Sequence, residues 1–337
     1  MNDAIFKHIR THYKTMEGYS SAGMEAGKDE TKVYLNANEN PYPLPGLEGL
    51  NRYPEPQPFA LLEAYAQNYG VENNQIVMTR GADEALVTLT KVFCEPHQDQ
   101  ILITPPTFGM YAVDAYAMPS GVLSVPLIKQ DGTFILDHAA IIAQATNPDN
   151  NVKMVFLCSP NNPTGNSFDH DIIAEICDAL EGHCVVILGT LSKSFAFAGM
   201  RMGCMLCADT DFIALVKKKA LDAYPLPLMS IEAAFHVLSP DIQEIAKDNI
   251  TKILAERARM EDALKASAHV THLYPSDANF LLIEMKDAKG FCDFAAANNV
   301  IIRDFSSKPE TENCLRLSIG TPEENDLVIA LLNQFDQ

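Results

Sequence analysis

Hydrophobic positions along this chain alternate between a helical and a strand rhythm, and the alternation predicts an α/β protein. Phe59, Leu62, Tyr65, Ala66 and Tyr69 recur at helical spacing across 58–70. A short apolar run at 75–79 then reads as a strand, and Ala85, Leu86, Leu89 and Phe93 form the buried face of the next helix. Strands follow at 101–104 and 121–125, a helix at 137–145, a buried parallel strand at 152–158 and a helix at 169–181. Further on come a strand over 201–207 and helices over 212–219, 229–237 and 240–266, the last long enough to join two domains. The rhythm then changes. Strands near 270–274, 279–284, 300–303 and 314–319, with helices at 288–298 and 323–335, predict a smaller α+β domain. The resulting division is a polar arm over 1–30, a large domain over 31–240 with a mostly parallel central sheet, and a small C-terminal domain over 241–337.

The 337 residues leave room for both domains, and 47% hydrophobic with 20% charged residues describes a globular chain. A formal net charge of -19 excludes nucleic acid and anionic membranes as partners, since neither is attracted to such a surface. Anionic metabolites remain possible through local Arg and Lys. The eight Cys occur without a signal segment or a long apolar run, which predicts free thiols and a cytoplasmic location. Cys204-x-x-Cys207 has no second pair at zinc spacing and reads as two thiols on a buried strand. The nine His show no metal-ligand spacing, so no metal is expected.

The candidate chemistry centres on Thr190-Leu191-Ser192-Lys193-Ser194-Phe195, followed by Ala198-Gly199-Met200-Arg201-Met202-Gly203. Lys193 is either a surface lysine at a turn or an amine that forms a Schiff base with an aldehyde cofactor. The neighbours favour the second reading. Thr190 and Ser192 offer hydroxyls and Arg201 a cationic fork, which together make an anion site beside a nucleophile. A second anion site is predicted at Gly81-Ala82-Asp83-Glu84, where a strand turns into a helix and presents backbone N–H groups. Ser159-Pro160-Asn161-Asn162-Pro163-Thr164-Gly165 fixes a turn at the carboxyl end of a strand, where open α/β sheets bind ligands. Arg303 and Arg316 lie on strands of the C-terminal domain and suit a carboxylate or phosphate.

These motifs resemble the fold-type I, pyridoxal 5'-phosphate-dependent aminotransferases, and Thr-Leu-Ser-Lys-x-Phe resembles the histidinol-phosphate aminotransferases among them. The resemblance runs over nearly the whole chain. It implies the fold of a fold-type I PLP-transferase, with pyridoxal 5'-phosphate carried on Lys193. Ala82, Asp83, Thr190, Ser192 and Arg201 are implied at the cofactor phosphate, the first two through backbone. Phe108 stands where the family usually has Tyr, and would stack on the cofactor ring. Asn162 would bond the ring oxygen. Tyr53, in Asn51-Arg52-Tyr53-Pro54, would reach the partner's phosphate across a homodimer interface. Arg316, in Leu-Arg-x-Ser-x-Gly, would bind the substrate's anionic end. Arg303, Tyr19 and Asn38, the last in Asn36-Ala37-Asn38-Glu39-Asn40-Pro41 after a short strand, are implied near the substrate. The implied reaction moves an amino group from glutamate to imidazole-acetol phosphate in histidine biosynthesis, giving histidinol phosphate and 2-oxoglutarate. An aromatic aminotransferase and a decarboxylase of similar fold are the alternatives within the class.

One segment departs from the resemblance. Between the Asn-Pro-x-Gly turn and the lysine the family has a strand, an Asp-x-x-Tyr and a second strand. Here the helix ends at Gly182, and one apolar run leads straight to Thr190. No Asp lies between Asp178 and Lys193. That Asp would hold a proton on the cofactor's ring nitrogen. Three accounts stay open: the sequence as written omits a segment, the protein has lost it, or another carboxylate takes its place. A protein that has lost it would be a non-catalytic or weakened PLP-fold protein.

Overall fold

The strands run in chain order as β1 (Ile76–Thr79), β2 (Gln100–Ile103), β3 (Gly121–Ser124), β4 (Ile128–Gln130), β5 (Thr133–Ile135), β6 (Val152–Phe156), β7 (Val186–Thr190), β8 (Gly203–Cys207), β9 (Val270–Leu273), β10 (Phe280–Met285), β11 (Arg303–Asp304) and β12 (Cys314–Ser318). They belong to a computed structural model that describes residues 3–18, 33–180 and 185–335. The chain forms two units, one of residues 1–96 and 182–246, the other of 97–181 and 247–337. The boundary between Ala246 and Lys247 falls inside the long helix Pro240–Ala266.

In the first unit β8 lies between β1 and β7 and runs antiparallel to both. Every residue of β1 and β8 is buried. Tyr65 and Leu61 from the helix Phe59–Tyr69, Ile76 and Met78 from β1, and Cys204 and Leu206 from β8 share one core with Leu191, Met202, Leu226 and Ile231. Each such side chain contributes roughly 1.5–3 kcal/mol of burial. The register puts Thr79, Gly203 and Thr190 in one row across the three strands. At that end β1 turns into the helix Gly81–Phe93, β7 runs into Ser192-Lys193, and Arg201-Met202 enters β8. Three motifs far apart in sequence therefore meet at one sheet end. Cys204 and Cys207 are buried on β8 and joined in no disulfide, as the spacing led one to expect. Burial pushes the Cys204 thiol up to about 12, which makes it a poor nucleophile.

The second unit holds a parallel sheet, β3-β2-β6, the hairpin β4-β5 and an antiparallel sheet, β11-β12-β10-β9. Leu102, Phe134, Ile141, Ile176 and Leu282 pack in one core; Met260, Ile283, Phe291, Leu315 and Leu331 pack in another. Helix starts follow local chemistry. The Asp137, Asp169 and Asp287 side chains each accept a first-turn N–H, and Thr321 with Glu324 forms a reciprocal capping box.

The α/β class read from the pattern is what the structure shows. Three local expectations differ. The stretch 33–36 is not a strand: Val33 and Leu35 are 85% and 87% exposed, and no ladder partner lies beside them among the described residues. The run at 152–158 is not fully buried, because β6 is an edge strand whose first four residues are half-exposed. The strand expected over 300–303 shrinks to Arg303–Asp304, pairing only where β12 faces it.

Candidate active site

The sequence-derived site residues fall into two groups, one in each unit. In the first unit, the loop that carries Lys193 is closed on itself. The Leu191 N–H donates to the Met202 carbonyl at 3.2 Å, Phe197 N–H to the Leu191 carbonyl at 3.3 Å, and Ala196 N–H to the Lys193 carbonyl at 3.1 Å. Leu191 and Phe197 are buried and anchor the loop, while Lys193 is exposed at its tip. Thr190 Oγ1 accepts the Ser192 N–H at 3.1 Å and lies 2.8 Å from Ser192 Oγ. The two hydroxyls thus stand together at the end of β7.

Arg201 ends the loop in the left-handed region, φ 54°, which costs a non-glycine residue about 1–2 kcal/mol. Its guanidinium lies over Gly81: a Cβ there would sit 2.9 Å from Arg201 Nη2, and Gly81 itself has φ 71°. Gly203 permits a second close approach, since its Cβ would lie 2.8 Å from the Ala82 nitrogen. Glycines at these two positions bring the guanidinium and β8 against the start of the helix Gly81–Phe93. Arg201 Nη2 donates to Asp83 Oδ2 at 2.9 Å. Asp83, expected through its backbone, therefore also uses its side chain. Next to it, Glu84 accepts from the backbone and side chain of Arg80, and Arg80 also reaches Asp222.

Tyr53 is stacked on Tyr224, ring centroids 4.3 Å apart. Its backbone N–H donates to Glu39 Oε1 at 2.7 Å, and Arg52 donates to Glu39 Oε2 at 2.7 Å. Glu39 so pins the 51–53 segment to the Asn38 turn, where Asn38 is exposed with φ 54°. Tyr19 lies outside the described residues.

In the second unit, Arg316 Nη1 donates to Asn162 Oδ1 at 2.5 Å, which leaves the Asn162 amide N–H groups for an acceptor. Arg316 Nε is buried and has no hydrogen-bond partner among the described residues. Its guanidinium carbon lies 5.2 Å from the Phe280 ring centroid and 5.8 Å from that of Phe305. Arg303 stands directly opposite Arg316 in the β11–β12 register, a like-charge pairing that destabilises a sheet. Arg303 also reaches over Phe305, at 5.9 Å. Burial first, and then the charge of Arg303, press Arg316 below its ordinary value, though a guanidinium stays protonated. Phe108 packs edge-on against Tyr111 at 5.6 Å, and Tyr111 stacks on Phe156 at 4.7 Å. The Asn161 amide ties down the turn before Asn162, donating to Pro106 and Thr164 at 2.8 Å.

Sequence reasoning missed Tyr224, Glu39, the Asp83 side chain and Phe305. Phe305 carried a usable signal, because it lies two residues beyond Arg303 on an extended segment. Tyr224, in a Pro-rich loop, carried none.

The donor set of the first unit fits the phosphate end of pyridoxal 5'-phosphate: two hydroxyls, a guanidinium and a helix start whose glycine leaves room. No described helix is long and apolar enough to cross a membrane, and no group of His, Cys, Asp or Glu among the described residues is placed to hold a metal.

The chain matches the family model for aminotransferase class I and II over residues 30–188 and 174–332. The two stretches overlap at 174–188, in the part of the chain that departs from the resemblance. A histidinol-phosphate aminotransferase of Stenotrophomonas maltophilia is 35% identical over 359 aligned positions, covering 98% of this chain and 97% of that protein. An alignment longer than the 337-residue chain requires gaps on this chain's side. Among solved structures, the histidinol-phosphate aminotransferase of Sinorhizobium meliloti in complex with pyridoxal-5'-phosphate superposes with a TM-score of 0.75 at 20% identity, covering 84% of this chain and 83% of that one. The L-threonine-O-3-phosphate decarboxylase of Porphyromonas gingivalis has the same fold, with a TM-score of 0.68 at 21% identity, covering 86% and 92%.

Proposed function

This chain belongs to the aminotransferase class I and II family, and on that footing we propose that it transfers an amino group between histidinol phosphate and 2-oxoglutarate. The single observation that carries the substrate is the pair Arg303 and Arg316. The two arginines occupy paired positions on β11 and β12, Arg303 acts electrostatically on Arg316, and the buried Nε of Arg316 lacks a partner among the described residues. A like-charge pair of this kind is stabilised by an anion, and a phosphate dianion offsets it better than a single carboxylate. The same seat takes the carboxylate of glutamate in the other half of the reaction.

Pyridoxal 5'-phosphate is the cofactor of this family; when bound it supplies an aldehyde that captures the amine and a ring that withdraws electrons. The residues of the chain do the rest. Thr190, Ser192, Arg201 and the Ala82 and Asp83 amides hold its phosphate. Phe108 offers a flat apolar face and the Asn162 amide a donor. Lys193 would take the proton from the substrate carbon that bears the amine and deliver it to the cofactor's aldehyde carbon. Tyr19 and Asn38 belong to the proposed substrate surroundings. The domain division at 240, the cytoplasmic location and the homodimer are part of the same reading. Support for the homodimer comes from the first unit, where Val33, Leu35, Tyr42, Leu44 and Tyr53 stand exposed within one short stretch. Tyr53 would serve the partner's phosphate.

The test is amino-group transfer to 2-oxoglutarate from histidinol phosphate and from phenylalanine, with released carbon dioxide assayed in parallel. Faster glutamate formation from histidinol phosphate is the expected result. Preference for phenylalanine makes the protein an aromatic aminotransferase, and carbon dioxide release makes it a decarboxylase. Cofactor uptake without either reaction makes it a non-catalytic relative, the reading favoured by the absent Asp-x-x-Tyr.

A further inference from the structure

Resting on the reading of the first unit as the seat of the cofactor phosphate, we infer that the Asp83 carboxylate is a built-in competitor for that seat. It holds Arg201 in the absence of phosphate and gives way when phosphate enters. Among the described residues the Arg201 guanidinium donates from Nη1 to the Ala198 carbonyl at 3.3 Å and from Nη2 to Asp83 Oδ2 at 2.9 Å. Nη2 is the atom that lies over Gly81, at the start of the helix whose amides attract an anion. A phosphate at that helix start therefore meets the guanidinium nitrogen that Asp83 already holds.

Asp83 is itself an anion in the first turn of this helix, where the dipole favours negative charge. It imitates the ligand from within the chain. Arg201 and Asp83 are both about half exposed, so their ion pair is weak and reversible. A phosphate carries more charge and more acceptor oxygens, and it prevails over Asp83. Its net affinity is nonetheless reduced by the contact it replaces and by the carboxylate left beside it. Glu84 does not compete, because Arg80 occupies it. The arrangement also gives the left-handed Arg201 a partner when no phosphate is present, so the seat is preformed.

The experiment compares the full chain with Asp83→Asn by calorimetry, freed of cofactor and titrated with inorganic phosphate, with pyridoxal 5'-phosphate and with pyridoxal. The Asn variant is expected to bind both phosphates about two- to fivefold more tightly and pyridoxal, which lacks the phosphate, equally well. Asp83→Ser, which keeps a first-turn hydrogen-bonding group, is expected to shift in the same direction. Unchanged or weaker phosphate binding in both variants overturns the inference and makes Asp83 a residue that orients Arg201. Arg201→Gln separates this from the underlying reading. If it binds phosphate as tightly as the parent chain, the phosphate seat itself is misplaced and both statements fall.

Discussion

Arg201 in the first unit and Arg316 in the second are both read as anion seats, yet they are built in opposite ways. Arg201 is half exposed and already bonded to a carboxylate. Arg316 is half-buried, sandwiched near two phenyl rings, bonded to a neutral amide and set opposite another arginine. A seat with its own carboxylate is settled without a ligand, and exchange there is a substitution of one anion for another. A seat without one is destabilised until a ligand arrives. The first gives up a contact when it takes its anion and so binds with a reduced net affinity, while the second relieves a repulsion and gains affinity from the same contacts.

The largest effect expected from breaking this contrast is at Arg316. Arg316→Gln should lower kcat/KM for histidinol phosphate by about a hundred- to a thousandfold, since a buried charge-assisted contact is lost. Uptake of cofactor, measured by absorbance, should be unchanged. Loss of cofactor instead would mean that the two seats are not separate in role. A smaller effect is expected from Gly81→Ala. The positive φ and the Arg201 nitrogen 2.9 Å from the new Cβ should cost about 1–2 kcal/mol of stability, read as a lower Tm together with weaker phosphate binding. A normal Tm and normal phosphate affinity would place Arg201 elsewhere in solution.

The smallest effect concerns a third cation, Lys217, which is half-buried and bonded to the Asn73 carbonyl at 3.3 Å. Burial lowers it to about 8, below the roughly 10.4 of a free lysine. Between those pH values the unfolded chain binds more protons than the folded one, so stability rises with pH across that window. Lys217→Met should flatten this rise in denaturant titrations at successive pH values. A rise that persists in the variant would assign it to other groups.

The sequence made the periodic elements and the motif-bearing turns legible because each is a local matter. The helices 58–70 and 240–266 came from spacing, and the turn into the helix Gly81–Phe93 from a strand, a glycine and an acidic first turn. Thr190, Ser192 and Arg201 were legible for the same reason. What sequence did not carry was pairing. The row Thr79, Gly203, Thr190 exists only through strand register, and the facing of Arg303 with Arg316 exists only because β11 lies on β12. The Asp83 side chain had two possible uses, and the local pattern spoke for its backbone alone. Val33 and Leu35 have the alternation of a strand, but a strand needs a neighbour.

The unfinished flank of the first unit bears on how this protein behaves as a material. Val185 and Ile187 are 57% and 59% exposed, and among the described residues β7 pairs with β8 alone. Edge amides beside β-branched side chains are a template for further strands. A two-fold contact through the 33–53 surface closes on itself, whereas strand addition at β7 has no closing symmetry. Strand addition at β7 would therefore grow with concentration, whereas the proposed two-fold contact would saturate.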